Sequence, residues 1–461
     1  MNRPNIIVVM LDDMGWKDLG CTGSTFYETP HIDRIAREGM IFNNAYAACP
    51  VCSPSRASYL TGRYPVATGI TDWIDMGHMH PIRAKVVDAS YEKHLAPGTP
   101  TIASLLRDRG YATWHVGKWH LGEEEYCPEK YGFEVNIGGC TWGQPRHGYF
   151  SPYRHPNLPD GPDGEYLTDR ITDEAIKLIT SEEKRPFFLS LCHYTVHTPI
   201  QAKEKDISYF RSKARRMGLS DVKAIVPGEP IPSHPDQNVQ RRIYQSDPVY
   251  AAMIWNLDEN MGRLMETLER SGQADNTVIL FTSDNGGLST TKGSPTCNWP
   301  AREGKGWIYD GGNRVPFFMW YPSYIKAGSC CNVPITTPDI CPTLLELAGA
   351  SDQIQDHMDG ISITPLLRGE EIPQRPIFWH YPHYGNQGGT PAASVILGKY
   401  KFIEFYEDNH GELYDLEGDL SEQHNLADRF PEKAQQLRML LLGWQMEHHA
   451  KFPTKNPDYQ R

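Results

Sequence analysis

Residues 5–10 read Asn-Ile-Ile-Val-Val-Met, an apolar run without polar alternation that stops at Leu11-Asp12-Asp13. A strand that is apolar on both faces belongs in the middle of a parallel sheet with helices on each side. Similar runs recur at 111–116, 187–192, 276–282 and 317–321. Between them the period lengthens to that of a helix. Thr29-Pro30 opens one, with Ile32, Ile35 and Ala36 on a single face and Gly39 as its stop. Residues 101–109, 167–180 and 338–348 read as further helices. Asp247-Pro248 starts a long one in which Ile254, Leu257, Met261, Leu264 and Leu268 fall at core spacing.

Strands alternating with helices predict an α/β fold, a large, doubly wound, mixed but mostly parallel sheet. Beyond Pro373 the pattern changes: 377–381, 393–397 and 401–405 alternate like antiparallel strands ahead of a final helix at 431–447. A chain of 461 residues exceeds what one core usually serves. The expected division is a large domain at 1–372 and a smaller α+β subdomain at 373–461.

Three stretches follow neither period. Residues 71–97 carry Trp73, Asp75, His78, His80 and Lys85, and a loop of that length inside a compact domain is usually functional. Residues 123–165, rich in Gly, Pro and aromatics, read as an insertion lining a site. Residues 201–247 are polar and irregular, and are expected to form a mobile lid.

Composition adds exclusions. With 39% apolar and 11% aromatic residues the chain can build two cores. A net charge of −12 makes nucleic acid an unsuitable partner, since phosphates would be repelled over most of the surface. It leaves room for a small basic pocket. The apolar run at 6–11 is too short to span a bilayer, so no membrane partner is expected. No signal-peptide pattern precedes it, which as the sequence stands implies a cytoplasmic protein, or a periplasmic or secreted one if a leader has been trimmed. Ten scattered cysteines, Cys330 and Cys331 adjacent, read as reduced thiols rather than a disulfide framework. The oligomeric state is left open.

The candidate chemistry clusters where strands end. In Cys49-Pro-Val-Cys-Ser-Pro-Ser-Arg-Ala-Ser-Tyr-Leu-Thr-Gly-Arg63 a Pro/Ser-rich loop passes into a helical start, so Cys52 stands at a helix N-terminus with Arg56 one turn on. Free N–H groups and the guanidinium there suit an anionic group. By residue type alone, Cys49 and Cys52 suit plain buried thiols before a redox couple or half of a zinc site, and no second C-x-x-C completes a zinc site. Asp12, Asp13, Asp284 and Asn285 all follow apolar runs, where the ligand crevice of an open α/β sheet lies. Their oxygens suit calcium or magnesium, and an isolated Asp pair equally suits a solvated turn or a helix cap. Lys118 and His120 lie two apart, on one face of an extended segment. His193 and His197 come just past 187–192.

Cys52-Ser53-Pro54-Ser55-Arg56 followed by Leu60-Thr61-Gly62-Arg63 resembles the C-x-P-S-R-x-x-x-L-T-G-R signature of the type I sulfatases of the alkaline phosphatase superfamily. Gly110-Tyr-Ala-Thr-Trp-His-Val-Gly-Lys-Trp-His120 is similar to that family's second signature, and Glu412-Leu-Tyr-Asp-Leu-Glu417 with Asn425-Leu-Ala to its tail. The resemblance covers essentially the whole chain. It implies a sulfatase catalytic domain, and Cys52 converted to formylglycine by a sulfatase-maturing enzyme. It further implies one calcium per chain, with magnesium less favoured, on Asp12, Asp13, Asp284, Asn285 and modified Cys52. Arg56 and Lys118 would hold formylglycine and sulfate oxygens, and His120 would be the base that triggers elimination. His197 would protonate the departing alcohol, while Lys305 clamps a sulfate oxygen and shares that task. One departure is Asp310, where many relatives have Glu; His115, His147 and His193 match no motif position.

The activity so implied is a sulfuric ester hydrolase acting on a sulfated carbohydrate, as a small molecule or oligosaccharide, with terminal sulfated galactose or N-acetylgalactosamine foremost. Trp73, Asp75, His80, His380 and His383 are the residues expected to contact the sugar. Alternatives are an aryl or steroid sulfatase, a phosphonate monoesterase or phosphodiesterase of the same superfamily, and a non-catalytic sulfate-binding relative.

Overall fold

The computed structural model describes residues 3–74, 84–231, 234–291 and 293–459. Its strands of three or more residues are β1 (Asn5–Leu11), β2 (Met40–Phe42), β3 (Ala112–Gly117), β4 (Val135–Ile137), β5 (Phe187–Cys192), β6 (Ile225–Ile231), β7 (His234–Arg242), β8 (Thr277–Ser283), β9 (Phe317–Trp320) and β10 (Ser329–Cys331), followed by β11 (Ile377–Tyr381), β12 (Ala392–Leu397), β13 (Tyr400–Phe405) and β14 (Gly411–Asp415). The helices that matter here are α1 (Pro30–Glu38), α2 (Cys52–Thr61), α3 (Ile102–Arg107), α4 (Leu167–Ile179), α5 (Glu204–Arg216), α6 (Pro248–Arg270), α7 (Ile340–Leu347) and α8 (Pro431–Glu447).

Eight strands form the main sheet in the order β10-β2-β9-β8-β1-β5-β3-β4. All run the same way except β9, which is antiparallel to both neighbours. This is the mixed, mostly parallel sheet that the strand and helix pattern predicts. Every residue of β1 is buried. Ile7, Val9 and Leu11 pack among Ile32 and Ile35 of α1, Ile171 of α4 and Leu257 of α6. Ile6, Val8 and Met10 pack on the other face, among Leu60 of α2, Leu106 of α3 and Leu344 of α7. Helices on both faces explain why β1 shows no polar alternation. Because β1, β3, β5 and β8 are parallel neighbours, their carboxyl ends meet at one edge.

A second, antiparallel sheet, β11-β12-β13-β14, starts at Ile377. Ile377, Trp379 and Tyr381 pack toward Tyr46, Trp307 and Tyr309, whereas Phe378 faces Leu437, Leu441 and Trp444 of α8. A buried ion network ties this sheet to the larger one. Lys401 of β13 sits 2.8 Å from Glu422, Glu422 accepts from the Asp310 N–H at 2.7 Å, and Arg314 reaches Asp310 at 2.5 Å.

The expected mobile lid at 201–247 is instead largely regular structure. It contains α5, packed on the core through Ile207, Phe210 and Ala214, and the antiparallel hairpin β6–β7. The Arg242 N–H donates to the Ser289 carbonyl at 2.8 Å, pinning the hairpin to the loop after β8. Few apolar positions face the core here, so the helical period is faint in the sequence. The insertion at 123–165 likewise contributes an edge strand, β4. All ten cysteines are free. Among the described residues no helix is long and apolar enough to cross a membrane.

Candidate active site

Asp12 and Asp13 leave β1, Lys118 and His120 leave β3, His197 follows β5, and Asp284 and Asn285 leave β8. Cys52 is the first residue of α2, after an extended Val51 that makes no side-chain cap, so the free N–H groups of the first turn surround it. It is buried, and its Sγ lies within 4.8 Å of carboxylate oxygens of Asp12 and Asp284. Burial pushes its thiol up, against Lys118 and Lys305, which pull the other way.

Three buried cations stand on three buried acids. Lys118 Nζ donates to both Asp12 oxygens, at 2.8 and 2.7 Å. Arg56 Nε donates to Asp284 Oδ2 at 2.9 Å, and a second guanidinium nitrogen lies 2.7 Å from the same oxygen. Lys305 Nζ lies 2.7 and 2.9 Å from the oxygens of Asp13. Burial pushes the Asp13 carboxyl up, but Lys305 and His197 outweigh it and hold the group well below the usual carboxylate range. Asp13 and His120 both adopt the left-handed region, at φ 62° and 59°, a conformation that costs a residue with a Cβ about 1–3 kcal/mol.

The two histidines have opposite tautomers. His120 Nε2 faces the Ile74 carbonyl at 2.9 Å and must carry the proton, leaving Nδ1 as a bare, buried acceptor without a partner. His197 Nδ1 faces the Thr198 carbonyl at 2.8 Å, so Nε2 is bare and accepts from Lys305 Nζ at 3.1 Å. Burial lowers both, with Lys118 adding to the effect at His120, and Lys305 at His197, which falls to about 3. In this neutral tautomer His197 presents an acceptor at Nε2 to the Lys305 ammonium. The proton sits on Lys305, which Asp13 holds well above the ordinary lysine range despite burial.

The donor set fits a hard divalent cation. Asp12, Asp13, Asp284 and Asn285 converge, and Asn285 Oδ1 is buried without a hydrogen-bond partner while its Nδ2 donates to Asp13 Oδ1 at 2.9 Å. Burial pushes the Asp12 carboxyl up to about 8 even with Lys118 bonded to it. His197, which also lies near Asp12 and Asp13, is committed to Lys305 and Thr198.

These groups open into a cavity of 720 Å³ bounded by Asp13, Cys52, His120, His197 and Lys305, with Trp73, Lys93, His94, Glu123, Tyr126, Arg146, Asn386 and Gln387 around them. Trp73 therefore reaches the cavity as expected. Asp75 and His80 lie outside the described residues. His380 and His383 do not reach it. His380 is buried beneath α8, between the Tyr406 hydroxyl at 2.8 Å and the Lys451 carbonyl at 3.0 Å. His383 is fully buried against Thr71 Oγ1 at 2.8 Å and the rings of Tyr91 and Tyr381. The alternation of β11 carries the reason: it turns His380 toward α8, and the chain beyond it turns inward before Asn386 emerges. Arg146, His94 and Asn386 sit in irregular segments with no pattern of their own in the sequence.

Comparison with known proteins follows the same lines. The chain matches the sulfatase family model over residues 4–350 and the model for the C-terminal region of N-sulphoglucosamine sulphohydrolase over 303–447. It is 30% identical to N-acetylgalactosamine-6-sulfatase of Mus musculus over 427 residues, covering 86% of this chain and 71% of that protein. A sulfatase of Formosa agariphila is 30% identical over 528 residues, covering 97% of this chain and 90% of that one. The crystal structure of Ps i-CgsB in complex with k-i-k-neocarrahexaose has a TM-score of 0.78 at 28% identity, covering 100% of this chain and 94% of that chain.

Proposed function

This chain belongs to the sulfatase family and is a sulfuric ester hydrolase, and from that premise we propose that it removes O-sulfate from a carbohydrate, a terminal sulfated galactose or N-acetylgalactosamine. The sugar is supported by relatives named for N-acetylgalactosamine-6-sulfate and for a neocarrahexaose complex. It is also supported by a cavity that pairs Trp73 and Tyr126 rings with amide and charged groups. One observation carries the reading: Cys52 is buried at a helix N-terminus, within 4.8 Å of two acids that are themselves paired to Arg56 and Lys118.

Converted to a hydrated formylglycine, residue 52 would supply one hydroxyl to attack sulfur and a second to release sulfate as the aldehyde re-forms. Calcium, held by Asp12, Asp13, Asp284, Asn285 and residue 52, would supply two positive charges to a site whose three acids and three cations otherwise balance. Arg56 and Lys118 are positioned by Asp284 and Asp12 to hold anionic oxygens at residue 52. His120, with Nδ1 bare, accepts the proton that accompanies release. Lys305 carries the proton needed by a poorly leaving sugar alkoxide. His197 accepts the ammonium's hydrogen bond and aims it, a positioning role in place of direct donation.

Assay of regiodefined sulfated galactose and N-acetylgalactosamine mono- and disaccharides tests the substrate, with phosphate esters of the same alcohols alongside. Mass spectrometry of the peptide containing residue 52 from active protein tests the nucleophile. Release of phosphate without sulfate, or an intact thiol in fully active enzyme, would overturn the reading.

A further inference from the structure

The scissile sulfate is accounted for by the groups around residue 52, yet the same cavity is lined by positive charge that this chemistry leaves unused. Arg146 lines the cavity and, among the described residues, forms no ion pair with a carboxylate. Its guanidinium stands 5.3 Å from the centre of the Trp142 ring. Trp142 is itself buried, packed edge-on against His155 at 4.8 Å, and its backbone N–H donates to Cys140 Sγ at 3.4 Å. The cation therefore rests on a fixed aromatic platform.

The same loop is seated on the catalytic floor. At Gly143 a Cβ would stand 2.5 Å from Cε1 of His120, so only glycine lets the backbone pass so close. Arg146 lies three residues further on, and three residues span at most about 11 Å. Its side chain thus works within reach of a group on the sugar that bears the scissile sulfate, or on its neighbour. Lys93, with its ammonium over the Tyr91 ring at 3.6 Å, lines the same cavity. Of the two acids among the described lining residues, Asp13 is taken by Lys305, which leaves Glu123 as a partner for sugar hydroxyls. On a chain with net charge −12, an exposed guanidinium at the substrate cavity with no ion pair among the described residues is a selective feature.

The geometry points to a second anion subsite at Arg146, which binds a sulfate or carboxylate of the substrate other than the one being hydrolysed. This rests on the sulfated-carbohydrate reading and narrows it to sugars bearing at least two anionic groups. Arg146 is exposed, and a guanidinium–oxyanion contact there is worth about a two- to fivefold gain in affinity.

The test uses full-length Cys52→Ser protein, with and without Arg146→Gln, and isothermal titration with three disaccharides: one singly sulfated, one carrying a second sulfate, one carrying a uronate carboxylate. Either doubly charged ligand, or both, should bind about threefold tighter than the singly sulfated one, and the arm that does so names the anion. Arg146→Gln should close that gap, and in the active enzyme should lower the ratio of kcat/KM for the doubly to the singly charged sugar about threefold. No gap among the three ligands, whether all bind or none does, or a gap that survives Arg146→Gln, overturns the subsite. A gap closed by Arg146→Gln in a protein whose active form hydrolyses none of the three would leave the subsite standing and reject the sulfated-galactose or N-acetylgalactosamine substrate reading instead.

Discussion

Lys118 Nζ reaches both oxygens of Asp12, at 2.8 and 2.7 Å, and neither residue is exposed to solvent. Removing one member of such a pair leaves an uncompensated buried charge, a cost of about 3–5 kcal/mol. Lys118→Met is therefore expected to lower the unfolding midpoint sharply. Adding Asp12→Asn, which removes the stranded charge, should recover part of that loss. Denaturant unfolding of wild type, both single variants and the double variant measures the coupling; simple additivity would show that the pair contributes nothing of its own.

Lys305 and His197 make a leaving-group prediction. Lys305 holds the proton, and His197 Nε2 lies 3.1 Å away as its acceptor. A sugar alkoxide needs protonation far more than an aryl oxide does. Lys305→Ala and His197→Ala should each lower kcat/KM at least tenfold more on a sugar sulfate than on a nitrophenyl sulfate. Equal losses on the two substrates would remove leaving-group protonation from this pair.

Asn285 supplies a metal test that does not depend on turnover. Its Oδ1 is buried without a partner, beside Asp13 and Asp284. Calcium that binds only the folded chain should stabilise it by about 2.7 kcal/mol at a hundredfold excess over Kd. A thermal-shift titration should show a rising midpoint with calcium and a smaller response with magnesium. Asn285→Leu should weaken the calcium response without abolishing folding. A midpoint indifferent to calcium in the wild-type chain would count against the metal.

Much of this arrangement was legible from residues because strand ends and catalytic groups coincide. Apolar runs at β1, β5 and β8 are visible since burial on both faces leaves no room for polar alternation, and each delivers its acid or histidine within a few residues. The three-residue strands β2 and β10 are too short to carry a period, and the helical stripe of α5, Ile207, Phe210 and Ala214, lies inside a mostly polar stretch with no Pro to mark its start. Arg146 and Asn386 were illegible for a different reason. They reach the cavity through irregular loops, where position is set by tertiary contacts such as Gly143 against His120, not by local pattern.

His380 shows how a polar residue read as a ligand contact turns into a stability element with its own pH signature. It is buried between the Tyr406 hydroxyl and the Lys451 carbonyl, and burial lowers it to about 4 from the ordinary 6.5. The folded state thus binds this proton less readily than the unfolded chain. Its neutral contribution is fully present above pH 6.5 and is lost as pH falls from 6.5 toward 4. The size of that loss is on the order of 3 kcal/mol at most. His380→Gln should lower stability at pH 7.5, since the contacts to Tyr406 and Lys451 are imperfectly replaced, yet the gap to wild type should narrow between pH 6.5 and 4.5. KM for a sugar sulfate and for an aryl sulfate should move little and together, since the imidazole does not line the cavity. Denaturant midpoints across that pH range, with KM values for both substrates, decide it: a selective rise in KM for the sugar would return His380 to the substrate site.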